Sequence, residues 1–245
     1  VGKENKMRRI SYALIVVLLF VCVYSNYQII ESHSNSIKYI NNSIGRLGGS
    51  FEDLATNKYD GIVCDIYVLD ACVTITDGYG HASGVAVQNN LILTAGHVID
   101  IVADNNDVRV IEYFGREYKI ISYWRSDKYD IGFLRIDGKL PCLELGAIPE
   151  LLDEVYLIGA PYSIELSWTI TKGIISYVDR DICGREDLLQ TDAEGAPGSS
   201  GGSLLNTEGK IIGICVTGPN PGGGVVLCEP VSHIQESLDE YLEAR

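Results

Sequence analysis

No two of the seven cysteines stand two residues apart, so the chain has no CxxC pair from which to build a zinc site, and no metal is expected. The glycine-rich stretches GYGHASG and PNPGGG lack the strand-to-helix setting of a phosphate loop, and no nucleotide or other cofactor is expected. Basic residues are few, 19 against 33 acidic ones, for a net charge of −14. Four of those bases, Lys3, Lys6, Arg8 and Arg9, precede one long apolar run, so the remainder is more acidic still. Such a body repels nucleic acid and anionic lipid headgroups. Clear helical patterning is scarce, and histidine occurs only four times.

Against these absences stands the string APGSSGGSLL, Ala196 to Leu205, which sets Ser200 among glycines. A serine hydroxyl is a weak nucleophile and needs a base to take its proton and donors aimed at the developing oxyanion. The backbone N–H groups of Gly198, Ser199 and Ser200 are candidates for those donors. Of the four histidines, His33 lies near the apolar run, His81 in a glycine-rich loop and His233 in an amphipathic C-terminal stretch. His97 differs, because it closes the strand-like run LILTAGHV, where Ala95 and Gly96 break the strand and present the imidazole. The carboxylate candidate is Asp130, which opens the apolar strand Ile131 to Ile136; Asp127 competes from the polar run RSDK.

The segments TAGHV, DIGFLRI and QTDAEGAPGSSGGSLLN together resemble those of trypsin-like serine proteases, most closely the HtrA/DegP-like branch. The order His, Asp, Ser is that of chymotrypsin-type enzymes. The likeness runs from about Ala71 to Leu242, roughly two thirds of the chain, and includes VYLIGAPY and TITKGIISYV. It implies two six-stranded antiparallel β-barrels closed by a C-terminal helix, with histidine and aspartate on the first barrel and serine on the second. It also implies a serine endopeptidase acting on proteins or peptides, with His97 as base, Asp130 as its orienting partner and Ser200 as nucleophile.

Departures from that pattern are visible. GSSGGS replaces the commoner GNSGGP, placing Ser199 and Ser203 where asparagine and proline are usual. Glu194 stands six residues before Ser200, where trypsin-like enzymes keep an acid that selects basic side chains, but HtrA-like sequences arrange this loop differently and a solvated surface acid is the favoured reading. No PDZ domain is expected after the C-terminal helix. Two other classes stay open: a catalytically inactive relative acting as a scaffold, and an α/β-hydrolase esterase, whose G-x-S-x-G pattern GSSGG satisfies literally.

Many short apolar runs separated by turn residues make the chain all-β. GVAVQNNLILT reads as a hairpin turning at Asn89 and Asn90, and SLLNTEGKIIGICV as another turning at Glu208 and Gly209. The clear helix is SHIQESLDEYL, with a capping-box spacing at Ser232 and Gln235 and an apolar face of Val231, Ile234, Leu238 and Leu242.

Three segments follow. Residues 1–30 hold the basic flank and 21 uncharged residues from Ile10 to Ile30, long enough in a helix to span about 30 Å. They are expected to anchor the chain in a membrane by a single pass with its body outside the cytoplasm. The rival is a signal peptide cleaved before Asn26, giving a secreted protein. Residues 31–58 carry a heptad seam at Ile37, Ile40, Ile44, Leu47, Phe51 and Leu54, weakened by Gly45, Gly48 and Gly49. This stalk is expected to form a homo-oligomer, a trimer by the family resemblance, or to pack on its own chain. Residues 59–245 form the protease-like domain. Outside the apolar run six cysteines remain, with 15 connectivities, and Cys215 and Cys228 flank one glycine-rich turn.

Overall fold

Apolar runs from Cys72 onward form twelve antiparallel strands that close into two six-stranded barrels. The computed structural model describes residues 66–105, 107–182, 184–216 and 224–244. The expected membrane run and stalk lie outside the described residues, and among those described no helix is long and apolar enough to cross a membrane.

The first barrel comprises β1 (Cys72–Thr76), β2 (His81–Gln88), β3 (Leu91–Ala95), β4 (Arg109–Glu112), β5 (Glu117–Arg125) and β6 (Ile131–Ile136). Around the barrel they follow the order β1-β2-β3-β6-β5-β4. The second barrel comprises β7 (Glu154–Gly159), β8 (Thr169–Ile182), β9 (Arg185–Thr191), β10 (Ser203–Leu205), β11 (Ile211–Cys215) and β12 (Val226–Pro230). Closure leaves neither sheet with an open edge.

Strand β3 is buried along its whole length, because one face fills the barrel and the other is covered. Its neighbour β6 contributes Ile131, Phe133 and Leu134 to the same core, which continues through Ile158, Leu205, Ile214 and Leu227 of the second barrel. The two barrels therefore share one seam of apolar packing. A separate cluster, including Val155, Leu157, Ile175 and Leu204, fills the second barrel.

Both expected hairpins form. Asn89 and Asn90 make the β2–β3 turn. Between β10 and β11, Asn206 Oδ1 accepts the N–H groups of Glu208 and Lys210, and Gly209 takes φ of 75°. A strand follows Ser200 where an α/β-hydrolase would place a helix, and that class is excluded.

Three helices complete the described chain: α1 (Ile66–Ala71), α2 (Gly96–Asp104) and α3 (Val231–Glu243), with a 3-10 turn at Ile164–Leu166. The helix α2 is not legible in LILTAGHV. It forms because Val98, Ile99 and Val102 recur at helical spacing and bury together. In α3 the expected capping box is not made: Ser232 lies inside the helix, and the N-cap position is Pro230. The buried face is Val231, His233, Ile234, Ser237 and Tyr241, while Leu242 is exposed. Tyr241 turns the stripe, since its ring lies 5.3 Å from Phe133 and 6.0 Å from Trp124 and its hydroxyl accepts from Arg135.

Cys215 and Cys228 are register partners on β11 and β12, both buried and both thiols. Burial pushes the Cys228 thiol well above its ordinary range, with the neighbouring Cys215 adding to it.

Candidate active site

His97 enters the site at the first turn of α2, directly after β3 ends. Its backbone N–H donates to Asp130 Oδ1 at 2.8 Å, and its Nδ1 lies 2.8 Å from Asp130 Oδ2. A carboxylate only accepts, so the proton between them sits on Nδ1 and Nε2 is left as the basic nitrogen. Asp130 precedes β6, the sheet neighbour of β3, which is why residues so far apart in sequence meet. The rival Asp127 is exposed, whereas Asp130 is buried.

Burial pushes the Asp130 carboxyl up. The His97 hydrogen bond and the charges of His97 and Arg185 outweigh it and hold the group below the usual carboxylate range. The Arg185 guanidinium supplies a second ion pair to the same oxygen, Nη2 to Oδ2 at 2.8 Å. From the far side the Asp130 N–H donates to Glu229 Oε1 at 3.1 Å. Glu229 is almost fully buried, and its other oxygen lies 2.7 Å from His233 Nδ1. The His233 ring stacks on Tyr129, 3.8 Å between centroids.

The serine loop joins the two barrels. The Ser83 N–H on β2 donates to the Ser200 carbonyl at 2.8 Å, and Ser83 Oγ donates to the Gly198 carbonyl at 2.8 Å. The same hydroxyl accepts the N–H of Ala160 at 3.0 Å. A Cβ on Gly201 would collide with the Ser83 carbonyl and Thr94 Oγ1, so the loop is docked on the strand end that presents His97. Gly198 has φ of 98°, and a Cβ there would meet the Ala160 carbonyl and the His81 ring. That ring is held by its Nε2, 2.8 Å from the Ala160 carbonyl.

The Pro197 carbonyl accepts the Tyr162 N–H at 2.7 Å. In a trans peptide the following N–H points the opposite way, so Gly198 N–H faces away from Tyr162. Tyr162 itself has φ of 65°, a strained setting for a non-glycine residue. The Ser199 N–H donates to the Ala196 carbonyl at 2.8 Å and so serves the loop itself. Glu194 is exposed, and its carbonyl accepts Thr171 Oγ1. Among the described residues no cluster of acids, histidines and cysteines could hold a metal ion.

Sequence reading did not find Ser83, Arg185 or Glu229. The spacing of Glu229 and His233, four residues apart at the entry to a helix, was the one available signal. His81 and Ser83 lie on β2 and not in the glycine-rich loop that GYGHASG suggests, and nothing local marks Arg185.

A double antiparallel barrel carrying a His–Asp pair on the first barrel and a glycine-bound serine loop on the second defines the trypsin-like class of peptidase. The family of trypsin-like peptidase domains matches residues 82–214, and the chain belongs to it. It is 37% identical over 140 residues to the serine endoprotease DegS of Escherichia coli K12, covering 54% of this chain and 38% of that protein. It is 30% identical over 201 residues to a probable periplasmic serine endoprotease, DegP-like, of Buchnera aphidicola, covering 76% of this chain and 42% of that one. Among solved structures it is similar to the serine endoprotease from Yersinia pestis, with a TM-score of 0.62 and 29% identity, covering 70% of this chain and 62% of that chain. The chain spans about two fifths of the length of these two curated relatives.

Proposed function

We propose that this chain is a serine endopeptidase whose nucleophile is Ser200, with His97 as general base and Asp130 as its orienting carboxylate. The observation that carries the reading is the His97–Asp130 pair at 2.8 Å, beside a serine loop docked on the same strand end. His97 takes the Ser200 proton as the hydroxyl oxygen attacks a peptide carbonyl, and Asp130 stabilises the resulting imidazolium. The backbone N–H groups of Gly198 and Ser200 receive the oxyanion, while that of Ser199 is engaged with Ala196. The acyl-enzyme forms as the amine leaves with the proton from His97, and water then releases the acid.

Residues 59–245 are the catalytic domain in this reading, 31–58 a stalk that assembles a homo-oligomer, and 1–30 a membrane anchor. The uncharged run from Ile10 to Ile30 and its basic flank support a body outside the cytoplasm. A relative described as periplasmic is consistent with that location. Protein substrates are proposed from the relatives, which are endoproteases by name. Glu194, exposed ahead of the serine loop, is the proposed specificity contact.

A fluorophosphonate probe tests the reading. The folded parent is expected to be labelled at Ser200 and to cleave unfolded casein. The S200A variant should keep its circular dichroism spectrum and lose at least about three orders of magnitude of activity. A folded parent that takes no label would instead be a non-catalytic binding protein.

A further inference from the structure

We propose that Arg185 is a positioning residue for the active site, a cationic clamp on the Asp130 carboxylate supplied by the second barrel. The inference rests on the serine protease reading for its role in turnover, but its geometry stands independently.

Asp130 is held from every side. Oδ1 accepts the His97 backbone N–H, and Oδ2 is shared between His97 Nδ1 and Arg185 Nη2, each at 2.8 Å. Arg185 opens β9 at the tip of the long β8–β9 hairpin, and its Nη1 donates to the Val216 carbonyl at 3.4 Å, just past the end of β11. One guanidinium thus spans the seam, tying the hairpin and the β11 exit to the carboxylate of the first barrel. A guanidinium is planar and permanently charged, so it fixes both the angle and the ionisation of the group it meets.

The other charged groups near Asp130 do not substitute for it. Glu229 on β12 brings no cation, reaches only the Asp130 N–H, and is paired with His233 of α3. Arg125 on β5 donates to the Gly96 carbonyl and pairs with Asp100. Lys128 pairs with Glu236. Arg185 is therefore the cation, among the described residues, that meets the carboxylate beside His97. Its side chain is 38% exposed, so replacing it need not open the core.

The test compares R185Q and R185K with the parent in the full chain. Two quantities are read: the maximal rate and half-saturating concentration of fluorophosphonate labelling, and the carboxyl titration of Asp130 in protein carrying 13C-labelled aspartate. In R185Q the maximal labelling rate should fall about tenfold or more, with half-saturation within about twofold. The Asp130 carboxyl should titrate higher by about one pH unit. In R185K the charge is kept, and the titration should stay near that of the parent. A hairpin that is merely loosened would not move the carboxyl titration in one variant and spare it in the other. An Asp130 titration in R185Q that coincides with the parent overturns the clamp, whatever the rate. A parent that takes no label while R185Q still shifts the titration overturns the protease reading and upholds the clamp.

Discussion

Gly198, like Gly201, carries a severe steric demand in the serine loop. With φ of 98° and a would-be Cβ against the Ala160 carbonyl and the His81 ring, the position accepts no side chain without moving the peptide that precedes it. That peptide joins the Pro197 carbonyl, bound by Tyr162, to the N–H proposed as an oxyanion donor. In G198A the loop is expected to turn and the donor to be lost, lowering kcat by about two to three orders of magnitude. Steady-state kinetics on casein, with circular dichroism to confirm the fold, checks this; activity within threefold of the parent would remove Gly198 from the oxyanion site. Ser83 holds the following peptide from the first barrel, because its buried hydroxyl bonds both the Gly198 carbonyl and the Ala160 N–H.

At the scale of elements, the β3–α2 corner and the start of β6 deliver His97 and Asp130 as sheet neighbours, so their geometry is as rigid as the ladder between Ala95 and Ile131. The helix α3 braces this barrel from outside. Tyr241 packs on Phe133 and Trp124, and its hydroxyl accepts two hydrogen bonds from the Arg135 guanidinium. Removing that ring in Y241A should cost about 3–5 kcal/mol of stability through the cavity left and the donors stranded. Urea denaturation measures it, and a loss under 1 kcal/mol would mean that α3 contributes little to the fold. The same helix brings His233 to Glu229, so the support of Asp130 depends on α3 being docked.

For the whole molecule, the placement of a buried carboxylate between His97 and Arg185 couples stability to pH. Asp130 is held below its ordinary value of 3.8. A depressed carboxylate stabilises the fold above its unfolded pKa, and that contribution is lost as pH falls through the lower folded value. Acidification from pH 6 to pH 3 should therefore lower the melting temperature of the parent more than that of D130N, which has no proton to take up there. Equal slopes in a thermal denaturation series would show that Asp130 contributes no linkage.

The sequence by itself determined what is local: the hairpins at Asn89 and Glu208, the strand that Asp130 opens, the serine loop and the order of His97, Asp130 and Ser200. Each rests on side chains close together along the chain, where turn chemistry and strand period act directly. The double barrel was reached through family resemblance, because periodicity marks strands without saying which of them pair. Only the tertiary structure decided the rest. The α2 helix takes over at Gly96, Ser83 docks the serine loop at Gly198 across 115 residues, and Glu229 meets Asp130 across 99 residues. Arg185 reaches the carboxylate only because barrel closure brings the β8–β9 hairpin across the seam. A buried carboxylate needs partners for every oxygen, and closure of the fold determines which side chains supply them.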